Sequence, residues 1–347
     1  MTVYCGVDFH ARQQTISFCD SQNGEIKSIR IFHDDLDALR RFYTQFQSPV
    51  IVGLEAGGYS DWFERFLEEL GIEVWFGNST EIRRRARSRQ KNDWRDAELV
   101  LDLLMKNEFP RIHRHSPETR EVLAQLRYRH KLVQMRTQAT NSLHALFIRE
   151  GLSLQSKLLT RAGREKLLSH PLTIEQAKQR DEWLARIDEL SEDVKRVEHE
   201  LIQIAAKDDR VRRVRTHPGI GLLTGLMLVH TLCPVSRFSN SRKVAAYVGL
   251  EPREFTSDKK QRWGGISKAG SPLLRFLLVE AVTHAVRGDQ ELRTSYHNLL
   301  AHRGRPKARV AIARKLLVRA YILLRDEIDY ATYLRTDGRS GIARVKP

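Results

Sequence analysis

Asp93 and Asp96 stand three residues apart in Lys91-Asn92-Asp93-Trp94-Arg95-Asp96-Ala97, just ahead of the apolar run 99–105. If that segment opens a helix, both carboxylates share one face. Two carboxylates on one face can hold a hard divalent cation, which takes oxygen ligands and usually keeps waters. The same pair can equally be a solvated helix start, with acids near the positive end of the dipole. Asp8 and Glu55 carry a similar ambiguity, because each closes an apolar run, 3–7 and 50–54. A carboxylate ending an apolar strand is a cap, a turn former or a site residue, and ligands of open α/β sheets bind beyond such ends. Four carboxylates from three elements of one small domain are what two metal ions about 3.5–4 Å apart require for in-line phosphoryl displacement. Asp20, Asp34, Asp35 and Asp61 fall in loops or helix starts and are weaker candidates.

The elements that must position these residues read as a mixed sheet with helices packed on it. Strand patterns cover 3–7, 15–19, 25–32, 50–54 and 72–76, with Ser-Gln-Asn-Gly at 21–24 as a turn. The continuous apolar run 50–54 reads as a strand buried on both faces. Amphipathic helices fit 36–46, on Leu36, Leu39, Phe42, Tyr43 and Phe46, and 62–70. Strands followed by alternating helix and strand give an α/β domain.

Composition narrows the partners. The chain has 347 residues, 41% hydrophobic and 29% charged, which is globular and long enough for about two or three domains. A net charge of +16 argues for a polyanion, nucleic acid before membrane surface. No run is long and apolar enough to span a bilayer, and the first residues enter a strand pattern without the basic region of a leader. Cys5, Cys19 and Cys233 lack metal or disulfide spacing, which fits a reducing cytoplasm. The expected location is therefore cytoplasmic, at the nucleoid.

Between the acidic elements lies a basic run, Arg83, Arg84, Arg85, Arg87, Arg89 and Lys91. It is either a solvated face or a contact with phosphates. The stretch 115–151 reads as one long helix. From Trp183 the apolar positions continue through Ile187, Leu190, Val194, Val197, Leu201 and Ile204, spaced alternately four and three. That is a heptad seam, either of an antiparallel hairpin within one chain or of a coiled coil between chains. His113, His115, His130 and His144 have no metal spacing. Thr216-His217-Pro218-Gly219-Ile220-Gly221 resembles the turn of a helix-hairpin-helix module, where glycines let amides approach a phosphate; a plain interhelical turn fits too. Helices are expected over 242–250 and 272–286, a basic amphipathic helix over 304–324 with Arg309, Arg314, Lys315 and Arg319, and a loose basic tail at the end.

The order of Asp8 after a first strand, Glu55 after a fourth, and Asp93-x-x-Asp96-Ala97 on a helix resembles the RuvC-like branch of the ribonuclease H fold. More narrowly, 91–97 resembles the Lys-Thr-Asp-x-x-Asp-Ala signature of the DEDD transposases, the insertion-sequence 110 family and the related Piv-type DNA invertases. Asn92 stands where Thr is common, and Glu55-Ala56-Gly57-Gly58-Tyr59 where Glu-x-Thr-Gly is frequent. The stretch 249–275 is similar to that family's second block: Gly-Leu-x-Pro, a loop serine, a basic run, Gly-x-Ile-Ser-Lys-x-Gly and Leu-Arg. The likeness covers roughly 1–107 and 210–330.

The resemblance implies a ribonuclease H-like domain over 1–110, a helical coiled-coil region over 111–207, a mostly helical transposase domain over 208–335 and a basic tail over 336–347. It implies DNA cutting and rejoining, with Asp8, Glu55, Asp93 and Asp96 holding Mg²⁺, two ions, and Ser257 as the nucleophile. Ser267 is the alternative serine, and Asp258 stands where Gly is usual. Arg83, Arg84, Arg85, Arg87, Lys259, Lys260, Arg262 and Lys268 are the expected nucleic-acid contacts. Donor and target DNA, a bridge RNA and a homo-oligomer, dimer or tetramer through the helical region, are the implied partners, with no membrane. Two rivals stay open: a RuvC-like junction-resolving endonuclease that uses water, and a non-catalytic nucleic-acid-binding remnant.

Overall fold

The computed structural model describes residues 2–21, 24–57, 59–86, 92–152, 159–257 and 260–336, with the side chains of 255–257 and 260–263 outside that description. The chain forms two compact units, Met1–His115 and Ser116–Pro347.

The first unit runs β1 (Val3–Phe9), β2 (Gln13–Asp20), β3 (Ile26–Phe32), α1 (Leu36–Thr44), β4 (Val50–Glu55), α2 (Asp61–Glu69), β5 (Glu73–Gly77), α3 (Ser79–Arg85) and α4 (Asp93–Met105). Its sheet has the order β3-β2-β1-β4-β5. β1 pairs antiparallel with β2 and parallel with β4, so the sheet is mixed, as its sequence pattern predicts.

Alternation sorts the strand residues between two faces. Val3, Cys5 and Val7 join Val52 and Leu54 in a core with Leu39, Phe42 and Tyr43 of α1 and Phe63 and Leu67 of α2. On the other face Tyr4 and Ile51 pack with Val100, Leu103 and Leu104 of α4. Gly6 lies where α4 crosses β1, and a Cβ there would overlap the backbone of Ala97 and Leu101. Only glycine lets the helix lie this close to the strand.

The second unit runs α5 (Pro117–Arg149), α6 (Arg161–Ser169), α7 (Ile174–Ala206), α8 (Asp209–Val214), α9 (Leu222–Leu232), α10 (Ser241–Val248), β6 (Pro252–Ser257), β7 (Lys260–Ile266), α11 (Pro272–Gly288), α12 (Gln290–Arg303), α13 (Arg305–Arg325) and α14 (Tyr330–Arg335). Pro117 begins α5, with the Ser116 side chain capping the first turn. Leu190, Val194, Val197 and Leu201 of α7 share one core with Leu123, Leu126 and Leu132 of α5 and with Leu226, Leu278 and Leu316 of α9, α11 and α13. Further out, Ile187 and Leu184 pack with Ala139, Leu143 and Phe147 of α5.

The heptad seam is thus filled within the chain, by an antiparallel hairpin of α5 and α7. At its start the register differs from the expectation: Trp183 is 36% exposed, whereas Leu184 is 9% exposed. A strict four-three count drifts on a straight helix of 3.6 residues per turn, and the neighbouring leucine takes the inward position.

The hairpin β6–β7, in which Ser257 pairs with Lys260, is the one strand pair in this otherwise helical unit among the described residues. The Pro-Gly-x-Gly turn between α8 and α9 packs inward. Gly219, at φ +91, lies against the backbone of Ala281 and Ala285 of α11, which gives this glycine a packing reason.

Candidate active site

Asp8 and Glu55 come together because β1 and β4 are parallel neighbours. Val7 pairs with Leu54, so the next residue of each strand is a carboxylate at the same edge of the sheet. From the other side α4 arrives with Asp93 and Asp96 in its first turn, where Asn92 caps the helix by accepting from the Trp94 amide at 3.1 Å. Asn is as good a cap as Thr at this place, so the departure from the signature keeps the helix start intact.

Asp8, His10, Glu55, Arg83 and Asp96 line one cleft of about 650 Å³, floored by Val7, Ile82, Leu99 and Val100. Asp93 stands at its margin. His10 Nε2 lies 3.0 Å from Asp8 Oδ2 and 3.6 Å from Asp93 Oδ1. Arg30 of β3 donates to Asp93 Oδ2 at 3.0 Å, with its guanidinium 5.2 Å from the Trp94 ring. Arg83 donates to Glu55 Oε1 at 3.1 Å. Burial holds the Asp8 carboxyl above its usual range; the hydrogen bond and charge of His10 oppose this, and the charges of Asp96 and Asp93 add to it. Crowded carboxylates without a cation raise one another in this way.

The donor set suits a divalent metal ion. Hard carboxylate oxygens dominate it, and one ligand atom each from Asp8, His10 and Asp93 lie within 4.8 Å of one another. Glu55 and Asp96 extend the set along the same cleft.

Residues 5–149 match a DEDD transposase family of the IS110 type, and residues 211–297 match the IS116/IS110/IS902 transposase family. The transposase for insertion sequence element IS1328 of Yersinia enterocolitica is 31% identical, over 68% of this chain and 72% of its own length. The chain belongs to the IS110 family of transposases. The transposase for IS1111A of Coxiella burnetii is 27% identical over 75% of this chain and 73% of its own, and a probable family 20 transposase of Pseudomonas aeruginosa is 26% identical over 84% and 88%. Membership makes the protein a DNA-binding, DNA-processing enzyme, and no helix among its described residues is long and apolar enough to cross a membrane.

The transposase's other expected contacts are placed unevenly. On α3 only Arg83 reaches the cleft. Arg84 pairs with Glu81 at 2.7 Å, and Arg85 donates to the Glu108 carbonyl at 2.6 Å. Arg87 and Lys259 lie outside the described residues, as do the side chains of Ser257, Lys260 and Arg262. Lys268 is exposed at φ 58. Ser267 has a buried Oγ without a hydrogen-bond partner among the described residues.

Two residues that contact the transposase's carboxylates escape the sequence pattern. His10 has a signal, since an imidazole two positions after a strand-ending carboxylate falls on the same side of an extended chain. Arg30 has none, because its value depends on α4 lying across the sheet.

Proposed function

We propose that this transposase cuts and rejoins DNA at the cleft of Asp8, Glu55, Asp93 and Asp96, with Ser257 as the attacking group. Magnesium, as two ions, is the cofactor; when bound it polarises the scissile phosphate and offsets the charge that develops there. The four carboxylates hold it, and Arg83 at the cleft wall meets the DNA backbone. In the cutting step the Ser257 Oγ–P bond forms and the P–O3′ bond breaks. The serine proton ends on the leaving 3′-oxygen, leaving a phosphoserine-linked end and a free 3′-hydroxyl. Attack by a partner strand's 3′-hydroxyl reverses the step and restores Ser257, conserving the bond energy with no nucleotide cofactor.

The observation that carries this reading is the shared sheet edge of Asp8 and Glu55, met there by the first turn of α4. Lys259, Lys260, Arg262 and Lys268 around the serine-bearing hairpin are the proposed contacts with nucleic acid. A bridge RNA that selects donor and target is part of the proposal, and the charge of +16 suits a chain with two polyanionic partners. So is a homo-oligomer in which the serine of one copy meets the carboxylates of another. With the α7 seam filled by α5, contacts between copies use other surfaces of the helical region, such as the exposed Trp183 and Ile202.

The test compares Ser257→Ala and Asp8→Asn on substrate DNA with Mg²⁺. Wild type traps a covalent protein–DNA adduct on a denaturing gel, and both variants lose it. An adduct that survives Ser257→Ala rejects the nucleophile. Wild-type cleavage with no adduct favours water as the attacking group, and no metal-dependent cleavage favours a binding protein.

A further inference from the structure

We infer that His10 is itself a ligand of one of the two divalent ions, which makes that position a mixed nitrogen–oxygen site that binds Mn²⁺ more tightly than Mg²⁺. The inference rests on the metal-binding reading above and adds a residue outside the acidic tetrad. β1 ends at Phe9, whose ring packs against His33 and Phe63 at centroid distances of 4.8 and 5.2 Å. Extended alternation therefore turns Asp8 and His10 to the opposite side, where α4 lies. The His10 amide donates to the Gln13 carbonyl at 3.0 Å, which fixes the turn into β2 and with it the base of the imidazole.

The distances fit coordination. An octahedral ion with bonds of about 2.1 Å has neighbouring ligand atoms about 3 Å apart. Nε2 of His10 stands 3.0 Å from one Asp8 oxygen and 3.6 Å from one Asp93 oxygen. Asp8 comes from a strand and Asp93 from a helix, and His10 is the group that spans them. With Nε2 as the ligand atom, the ring is the Nδ1–H tautomer.

The donor chemistry then selects the metal. Carboxylates suit Mg²⁺, Ca²⁺ and Mn²⁺ alike, whereas an imidazole nitrogen favours the transition metals. Mg²⁺ keeps oxygen and water around it. Mn²⁺, a transition-metal ion, accepts nitrogen beside oxygen more readily than Mg²⁺ does, so the nitrogen should raise affinity for Mn²⁺ and leave that for Mg²⁺ nearly unchanged.

The experiment uses the full chain, with Mn²⁺ or Mg²⁺ alone, without DNA. Calorimetric titration gives the two affinities, and pulsed electron paramagnetic resonance on the Mn²⁺-loaded protein reads nitrogen coupled to the metal. Wild type is expected to bind Mn²⁺ about tenfold more tightly than Mg²⁺ and to show nitrogen modulation. His10→Ala should lose the modulation and about tenfold of the Mn²⁺ affinity, with Mg²⁺ affinity changed much less. Mn²⁺ bound by wild type without nitrogen coupling overturns the role of His10 and leaves the carboxylate site standing. So does an equal loss of both metals in His10→Ala, which would mark His10 as a hydrogen-bond partner that orients Asp8. No metal bound by wild type, or full binding by Asp8→Asn, overturns the metal site and this inference with it.

Discussion

Gly6 and Leu101 meet backbone to backbone, with no room for a side chain between strand and helix. This contact brings the first turn of α4 up to the end of β1. Gly6→Ala should push the helix outward and cost about 1–3 kcal/mol of stability, as overpacking of a tight core does. It should also weaken divalent-metal binding, because Asp93 and Asp96 move away from Asp8. Denaturant unfolding and metal titration read the two effects. A Gly6→Ala protein with unchanged metal affinity would show that the helix need not lie so close.

Arg83 is the cation of α3 that faces the cleft, and its one described partner is the Glu55 carboxylate. Arg83→Ala should weaken DNA binding at low salt and make the salt slope shallower by about one phosphate contact. Arg84→Ala should change less, since Arg84 is paired with Glu81. Equal effects of the two, measured by fluorescence anisotropy at several salt concentrations, would show that the basic helix acts only through its summed charge.

His217 is almost fully buried between Pro218, Tyr330 and Asp289. Its Nδ1–H donates to the Pro218 carbonyl at 2.7 Å. The Asp289 carboxylate is taken up by Arg319 and by the Tyr330 hydroxyl at 2.6 Å. Burial pushes the imidazole down to about 4 from an ordinary 6.5. Between those values the unfolded chain binds a proton that the folded chain does not, so stability is lost as pH falls through the window. The full effect is about 3 kcal/mol, and above the window this group contributes no pH dependence. His217→Gln should flatten the slope of unfolding free energy between pH 6.5 and 4. An unchanged slope would mean that His217 is not the group responsible.

Ile187 is fully buried in the core between α5 and α7. Ile187→Ala should cost about 2–5 kcal/mol, as large-to-small changes in a packed core do. The mass of the folded protein in sedimentation should stay that of wild type, because the seam closes within one chain. Dissociation of an assembly with little loss of chain stability would instead place the seam between copies.

The carboxylates are legible because each ends or opens an apolar run, and an apolar run that stops at an acid is visible in one dimension. Their convergence depends on β1 and β4 being parallel neighbours, which the strand–helix–strand order already suggests. His10 and Arg30 are harder to read, since one gains its meaning from Asp93 and the other from the crossing of α4. Arg83, Arg84 and Arg85 look alike in sequence, and only the structure separates them, by pairing Arg84 with Glu81 and Arg85 with Glu108. Gly219 likewise has a neighbour that the sequence does not reveal. Its turn resembles a phosphate-binding hairpin, and a packing requirement for glycine comes from Ala281 and Ala285 of α11, more than sixty residues further on.

α5 and α7 are each 33 residues long, and at 1.5 Å per residue such a helix extends about 50 Å. That is the length of about 15 base pairs of duplex at 3.4 Å per step. Much of that length is embedded in the core with α9, α11 and α13. The end of the hairpin beyond Gln138 has its own small core around Leu143, Phe147 and Ile187, and this outer part of α5 extends about 16 Å. Removing one heptad from both helices would shorten that reach by about 10 Å, or about three base pairs.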